Sequence, residues 1–140
     1  MTIIITGTSA GIGFTLAEYF GKKGHKVFGL SRKSVESKYF KTIPTDITDN
    51  TQVQNAIAEV LKTESRIDVL INNAGMGMVG AVEDSSQEEI LKLFNLNLVG
   101  SVQMMTGVLP KMREQKMGQI INISSIGSEM GLPFRGFYSA

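Results

Sequence analysis

The chain contains no cysteine, which excludes disulfides, thiolate nucleophiles and cysteine-based metal sites. A single histidine, His25, is too few for a multi-histidine metal site, and its place after Gly24 reads as a surface turn between a helix and a strand. Neither sign of charge is in excess. A net charge of +1 provides no broad field for nucleic acid or an anionic membrane. No apolar run approaches the roughly 18 residues of a membrane span, and Ile3-Ile4-Ile5 is interrupted by turn residues too soon for a secretory signal. Linkers, repeats and low-complexity segments are also missing. These absences lead to an expectation of one cytoplasmic domain, residues 1–140, with no resident metal, nucleic-acid partner or membrane span.

What is present is a repeated alternation. With 42% hydrophobic and 19% charged residues the chain has the composition of a globular protein. Short β-branched runs at residues 3–6, 26–30, 42–44, 69–72 and 119–123 alternate with helical patterns, as in βαβ units. They predict an α/β fold with a doubly wound parallel sheet whose strands are buried on both faces. Ile12, Leu16 and Phe20 share one face of the first helix, and Val53, Ile57 and Val60 one face of a later one. A third helix starts near Ser85-Ser86, with Glu88-Glu89 in its first turn, as the macrodipole favours. Its apolar face holds Ile90, Leu93, Phe94 and, by spacing, Asn97. A stretch from Leu98 to Gln115 groups Val102, Met105, Leu109 and Met112; Pro110 either kinks it or divides it.

The first strand runs into Thr6-Gly7-x-x-x-Gly11-x-Gly13 and then into an amphipathic helix. Gly7 permits a tight turn, Gly11 lets a pyrophosphate approach the backbone, and Gly13 allows close packing. The free N–H groups and dipole of the helix start suit the anion. A Gly-x-x-x-x-Gly-Lys-Ser/Thr loop is missing, which argues against a P-loop triphosphatase. The three residues between the first two glycines resemble the short-chain dehydrogenase/reductase family. Further matches are Asn72-Asn73-Ala74-Gly75 after the fourth strand, Asn97-Leu98-Val99-Gly100, and Ser124-Ser125 with Tyr138 thirteen positions beyond Ser125.

The resemblance implies a Rossmann-type three-layer domain and assigns roles by position. Gly7, Thr8, Ser9, Gly11, Ile12 and Gly13 would cradle a dinucleotide. Asp46 would meet the adenine amino group, Ile47 would offer its backbone, and Asn73, Ala74 and Gly75 would line the cofactor. At the end of the second strand Ser31 stands where an NAD-type enzyme places an acidic residue, and Arg32-Lys33 follow. A guanidinium can bind a 2′-phosphate in bidentate fashion, so NADP is favoured over NAD. Tyr138 would give its proton to a developing alkoxide, Ser125 would polarise the substrate oxygen, and Asn97 would hold a water for a proton relay. The substrate is expected to be a small carbonyl or alcohol compound. Met76, Met78, Met130, Pro133 and Phe134, as adaptable apolar side chains, would suit a lipophilic one.

The family also places a lysine four residues after the tyrosine, which here would be position 142. The chain is therefore expected to be the N-terminal portion of a longer homodimeric or homotetrameric enzyme. As 140 residues it would be incomplete at its C-terminal sheet edge and inactive by itself. Two other readings are a non-catalytic NAD(P)-binding or interaction protein, should the chain end at Ala140, and a methyltransferase. The latter would usually want an acidic residue where Ser31-Arg32 stand.

Overall fold

Five parallel strands form a single sheet in the computed structural model, which describes residues 1–140. They are β1 (Thr2–Thr6), β2 (Lys26–Ser31), β3 (Lys41–Pro44), β4 (Val69–Asn72) and β5 (Gln119–Asn122), in the order β3-β2-β1-β4-β5. Ile4 pairs with Phe28 on one side and Leu70 on the other, so β1 is central. The chain reverses its winding between β1 and β4, and the crevice beyond the carboxyl ends of those strands is where doubly wound sheets bind ligands. No helix is long and apolar enough to cross a membrane.

Alternation along the strands builds two cores. Ile4, Leu30 and Leu70 face α2 (Asn50–Thr63) and α4 (Ser101–Glu114), where Val53, Ile57, Val60, Met104 and Val108 complete the larger cluster. Ile3, Ile5, Val27 and Ile71 face the opposite way, onto Ala17 of α1 (Gly11–Lys22) and Phe40. Burial on both faces holds for β1, β4 and nearly all of β2, but not for β3 and β5. Those two are edge strands, with one neighbour each.

Two helix faces differ from the periodicity. Ile12 is 63% exposed, and α1 packs through Gly13 and Ala17, with Phe14, Leu16 and Phe20 partly buried. The buried stripe of α4 is Met104, Val108 and Met112, whereas Val102 is exposed. Both stripes of α4 are apolar, so spacing could not choose between them. Gly107 decides the matter: any side chain there would overlap Ile57, so α2 approaches along that line. Pro110 lies inside α4 without dividing it.

Helix α3 (Gln87–Phe94) starts with a reciprocal capping box between Ser86 and Glu89, and α2 starts at Asp49, whose Oδ1 accepts the Thr51 and Gln52 N–H groups. At the other end of the sheet, Asp68 accepts the Thr2 N–H at 2.7 Å and the Arg66 Nε–H at 2.6 Å. Its own N–H donates to the Thr2 carbonyl, and its carbonyl accepts the Gln119 N–H. One residue thereby joins the starts of β1, β4 and β5.

Burial opposes ionisation of Asp68, but the Thr2 and Arg66 hydrogen bonds and nearby positive charge outweigh it and hold its carboxyl below the usual range. The Gln52 backbone and side chain, with Thr51, do the same for Asp49. The unfolded chain therefore binds protons at a higher pH than the folded one. The stabilisation is complete above the ordinary carboxylate pKa of about 4 and is lost as pH falls through the depressed values. Asp68→Ala leaves a buried N–H without its acceptor and costs about 2 kcal/mol. The check is a lower urea midpoint at pH 7, with the difference from the unaltered protein shrinking in acid.

Candidate active site

The glycine turn is bolted to the end of β4. Thr6 Oγ1 accepts the N–H groups of both Asn73 and Ala74 at 3.0 Å, and Asn73 Nδ2 donates to the Thr6 carbonyl at 2.9 Å. Gly7 has φ +73°, and a Cβ there would stand 2.8 Å from Ala74 Cα. A Cβ on Gly13 would overlap the Gly7 carbonyl and Asn73 Nδ2. Gly13 is thus required by the turn and the β4 loop together, not by helix–sheet packing alone. Gly11 has φ +60° and open space where a side chain would be. Unlike α2 and α3, α1 has no side-chain cap at its N-terminus, and its first turn carries no acidic residue. Its first N–H groups are left for an external acceptor. Thr8 departs from the rest of the turn: it is fully buried, and its Oγ1 packs beside Gly29 of β2 without a hydrogen-bond partner.

A crevice of about 320 Å³ opens beside this turn, lined by Gly7, Ser9, Ser31, Arg32, Asp46, Ile47, Asn73, Ala74 and Gly75 among others. Arg32 is exposed at its margin, whereas Ser31 is buried and donates its hydroxyl to the Lys33 carbonyl at 2.7 Å. The Ser31 proton therefore shapes the strand end and holds Lys33 in the turn. Asp46 Oδ1 accepts from the Thr48 N–H and hydroxyl, which leaves Oδ2 free to accept another donor. Ile47 also lines the crevice, with its side chain buried against Gly100.

Asn73, Ala74 and Gly75 also line a second cavity of about 550 Å³. This one gathers Asn97, Ser125 and Tyr138, with Ile12 on its rim side. Ser125 ends the loop after β5 and caps the 3-10 turn Ile126–Ser128, its Oγ accepting the Gly127 N–H at 3.1 Å. The hydroxyl proton is left to donate into the cavity. Tyr138 stands on the short helix α5 (Gly136–Ser139). Gly127 separates the two: a Cβ there would lie 3.1 Å from Tyr138 Cε1 and 3.5 Å from Ser125 Oγ. Serine and phenol thus meet across a residue with no side chain.

Asn97 lies in a π-helical segment, Asn95–Gly100, that joins α3 to α4. Its amide clasps the Met76 backbone: Oδ1 accepts the Met76 N–H and Nδ2 donates to the Met76 carbonyl, each at 2.9 Å. Its backbone carbonyl accepts the Ser101 hydroxyl at 3.3 Å. A polar seam continues beneath. Asn72 Nδ2 donates to Asn122 Oδ1 at 2.9 Å and to the Ser101 carbonyl at 3.3 Å, so the strand leading to Ser125 and the helix following Asn97 share one anchor.

Of the residues expected to shape a lipophilic pocket, only Met76 lines this cavity. Met78, Met130, Pro133 and Phe134 sit on the flanking loops. Leu93, Phe94, Leu98, Val102, Met105 and Phe137 take their place. Sequence reasoning also missed Thr6, Gly127 and Asn122. The Asn72↔Asn122 register pairing could have flagged the last, since two asparagines at matching strand ends read as a cross-strand pair. Another cavity, of about 570 Å³, opens at the amino ends of the strands beside Asp68 and Arg66, and no motif residue reaches it.

The sequence profile of the short chain dehydrogenases matches residues 1–140. A 3-ketodihydrosphingosine reductase of Bacteroides thetaiotaomicron is 45% identical over 139 residues, covering 99% of this chain and 52% of that protein. The crystal structure of a short-chain dehydrogenase from Streptomyces avermitilis superposes with a TM-score of 0.93 at 33% identity, over 99% of this chain and 54% of its own. ElxO with NADP bound gives 0.91 at 32% identity, over 98% and 60%. The chain spans about half the length of the curated relatives it matches.

Proposed function

Because the chain belongs to the short-chain dehydrogenase/reductase family, we propose that it carries the cofactor site and part of the catalytic site of an NADP-dependent oxidoreductase acting on a carbonyl/alcohol pair. The observation that carries this reading is the continuity of the two cavities. Asn73-Ala74-Gly75 border both, so a dinucleotide whose phosphates meet the glycine turn would reach from Arg32 to Ser125 and Tyr138. The uncapped start of α1 and the open side of Gly11 fit a pyrophosphate; exposed Arg32 fits a 2′-phosphate. Asp46 Oδ2 is free for the adenine amino group.

When bound, the dinucleotide supplies or accepts hydride at the substrate carbon. The chain's own residues manage the oxygen. Ser125 donates a hydrogen bond to it and fixes its position, while Tyr138 gives up a proton as negative charge builds there. In the oxidative direction the phenolate takes that proton back. Asn97 acts as a positioning residue: by clasping Met76 it fixes part of the wall of the cavity that Tyr138 also lines. Twelve of the 23 lining residues are apolar and none is charged, which suits a lipophilic substrate. The Bacteroides relative is named for such a keto compound, 3-ketodihydrosphingosine. Exposed Leu91 and Val99, along the rod from α3 to α4, favour self-association, and a monomeric mass by light scattering would count against it.

The experiment is a pair of titrations with the protein as its gene encodes it. Unaltered protein binds NADPH more tightly than NADH, and Arg32→Ala weakens NADPH by about 10- to 100-fold, the worth of a charge-assisted phosphate contact, with NADH unchanged. Equal affinities in the unaltered protein would show that Arg32 does not read the phosphate.

A further inference from the structure

The Arg135 guanidinium is the charged group laid on the proposed proton donor. Its Cζ stands 5.7 Å from the centre of the Tyr138 ring, within cation–π range. Its Nη1 reaches across to the loop after β4, 3.7 Å from where a Cβ on Gly77 would be. None of the four ion pairs of the chain includes it, so its charge is not neutralised by a carboxylate. Neighbouring backbone fixes it. The Arg135 carbonyl accepts the Ser139 N–H at 2.8 Å, and the Phe134 carbonyl accepts the Gly80 N–H at 2.8 Å, which joins the same two loops.

We propose that Arg135 is a positioning residue for the reaction, stabilising the negative charge that develops on Tyr138 as its proton leaves. The inference rests on the reading of Tyr138 as proton donor given above. In that step the Tyr138 O–H bond breaks, the proton joins the substrate oxygen, and the bonding electron pair stays on the phenolate. A phenolate ring has a more negative face than a phenol ring. A cation over that face therefore favours the state after transfer more than the state before it.

Competing charges are few. No charged side chain lines the cavity. On α3, which packs against α5, Glu89 is held by Ser86, leaving Glu88 and Lys92; Glu83, Asp84 and Glu129 stand in the flanking loops. The 3-10 turn beside Tyr138 carries none.

The test compares Arg135→Gln, Arg135→Met and Arg135→Lys with Tyr138→Phe in the protein as its gene encodes it. The first readout is ultraviolet absorbance of phenolate against pH, taking as the Tyr138 signal the part that Tyr138→Phe removes. Gln and Met variants move that signal to higher pH and lower kcat/KM about two- to fivefold, the range of an exposed to partly buried cation–π contact. NADPH affinity stays unchanged, and Lys, which keeps the charge, lies nearer the unaltered protein. Should Gln or Met leave the phenol titration where it was, or Lys behave like Gln, the inference fails while an inactive Tyr138→Phe keeps the proton-donor reading intact. Full turnover by Tyr138→Phe overturns both.

Discussion

Tyr138→Phe lowers kcat for carbonyl reduction by about 10³-fold and leaves the Kd for NADPH unchanged, in the middle of the range for loss of a positioned general acid. The prediction follows from where the ring stands. It lines the cavity together with Ser125, across the gap kept open by Gly127, and no charged side chain that could substitute as a donor lines that space. The phenol O–H is the group that gives up the proton in this step. Phe preserves the ring and its packing and removes only the hydroxyl that carries it. Steady-state rates with a simple ketone, beside a fluorescence titration of NADPH, separate loss of chemistry from loss of the cofactor. A variant that binds NADPH poorly would mean that the ring holds the cofactor instead.

The other large effect concerns Gly13. Gly13→Ala places a methyl group into the Gly7 carbonyl and Asn73 Nδ2, and neither is the loose end of a flexible side chain. Asn73 is tied to Thr6, and the Gly7 N–H is tied to the Leu30 carbonyl of β2 at 2.7 Å. The overlap is relieved only by separating the glycine turn from the β4 loop, at a cost of about 3 kcal/mol for a forced backbone shift. Thermal unfolding measures that loss. Since the same turn carries the uncapped amides of α1, NADPH affinity should fall with it by at least tenfold. Gly11→Ala provides the contrast: its Cβ meets nothing, and the cost is confined to a positive φ, about 1 kcal/mol. Equal losses at the two positions would refute the geometric argument.

Strands were legible because a doubly wound sheet writes itself locally. Short apolar runs end in Gly, Asn, Ser or Pro where the chain leaves the sheet, and all five fell within a residue or so of their expected limits. The start of α3 at Ser86 was equally readable, since its capping side chain reaches only three residues along the chain. Burial on a given helix face was not. Ile12 and Val102 match an apolar period, yet they face the cavity because Gly13 and Gly107 are where neighbours come close. Asn97 was found from its motif, but the clasp of its amide on Met76 depends on a π turn that no periodicity announces.

By itself the sequence determined the turn at residues 7–13, the order of strands and helices, and which polar residues end each strand. Those features depend on φ preferences, side-chain branching and contacts within a few positions. Only the tertiary structure decided that Gly13 guards Asn73, that Gly127 spaces Ser125 from Tyr138, and that Arg135 lies on the phenol ring. The first joins parts of the chain 60 residues apart (73 − 13), and the others depend on how two loops fold back over one cavity. Such distances are set by how closely backbones can approach, which a linear pattern does not encode.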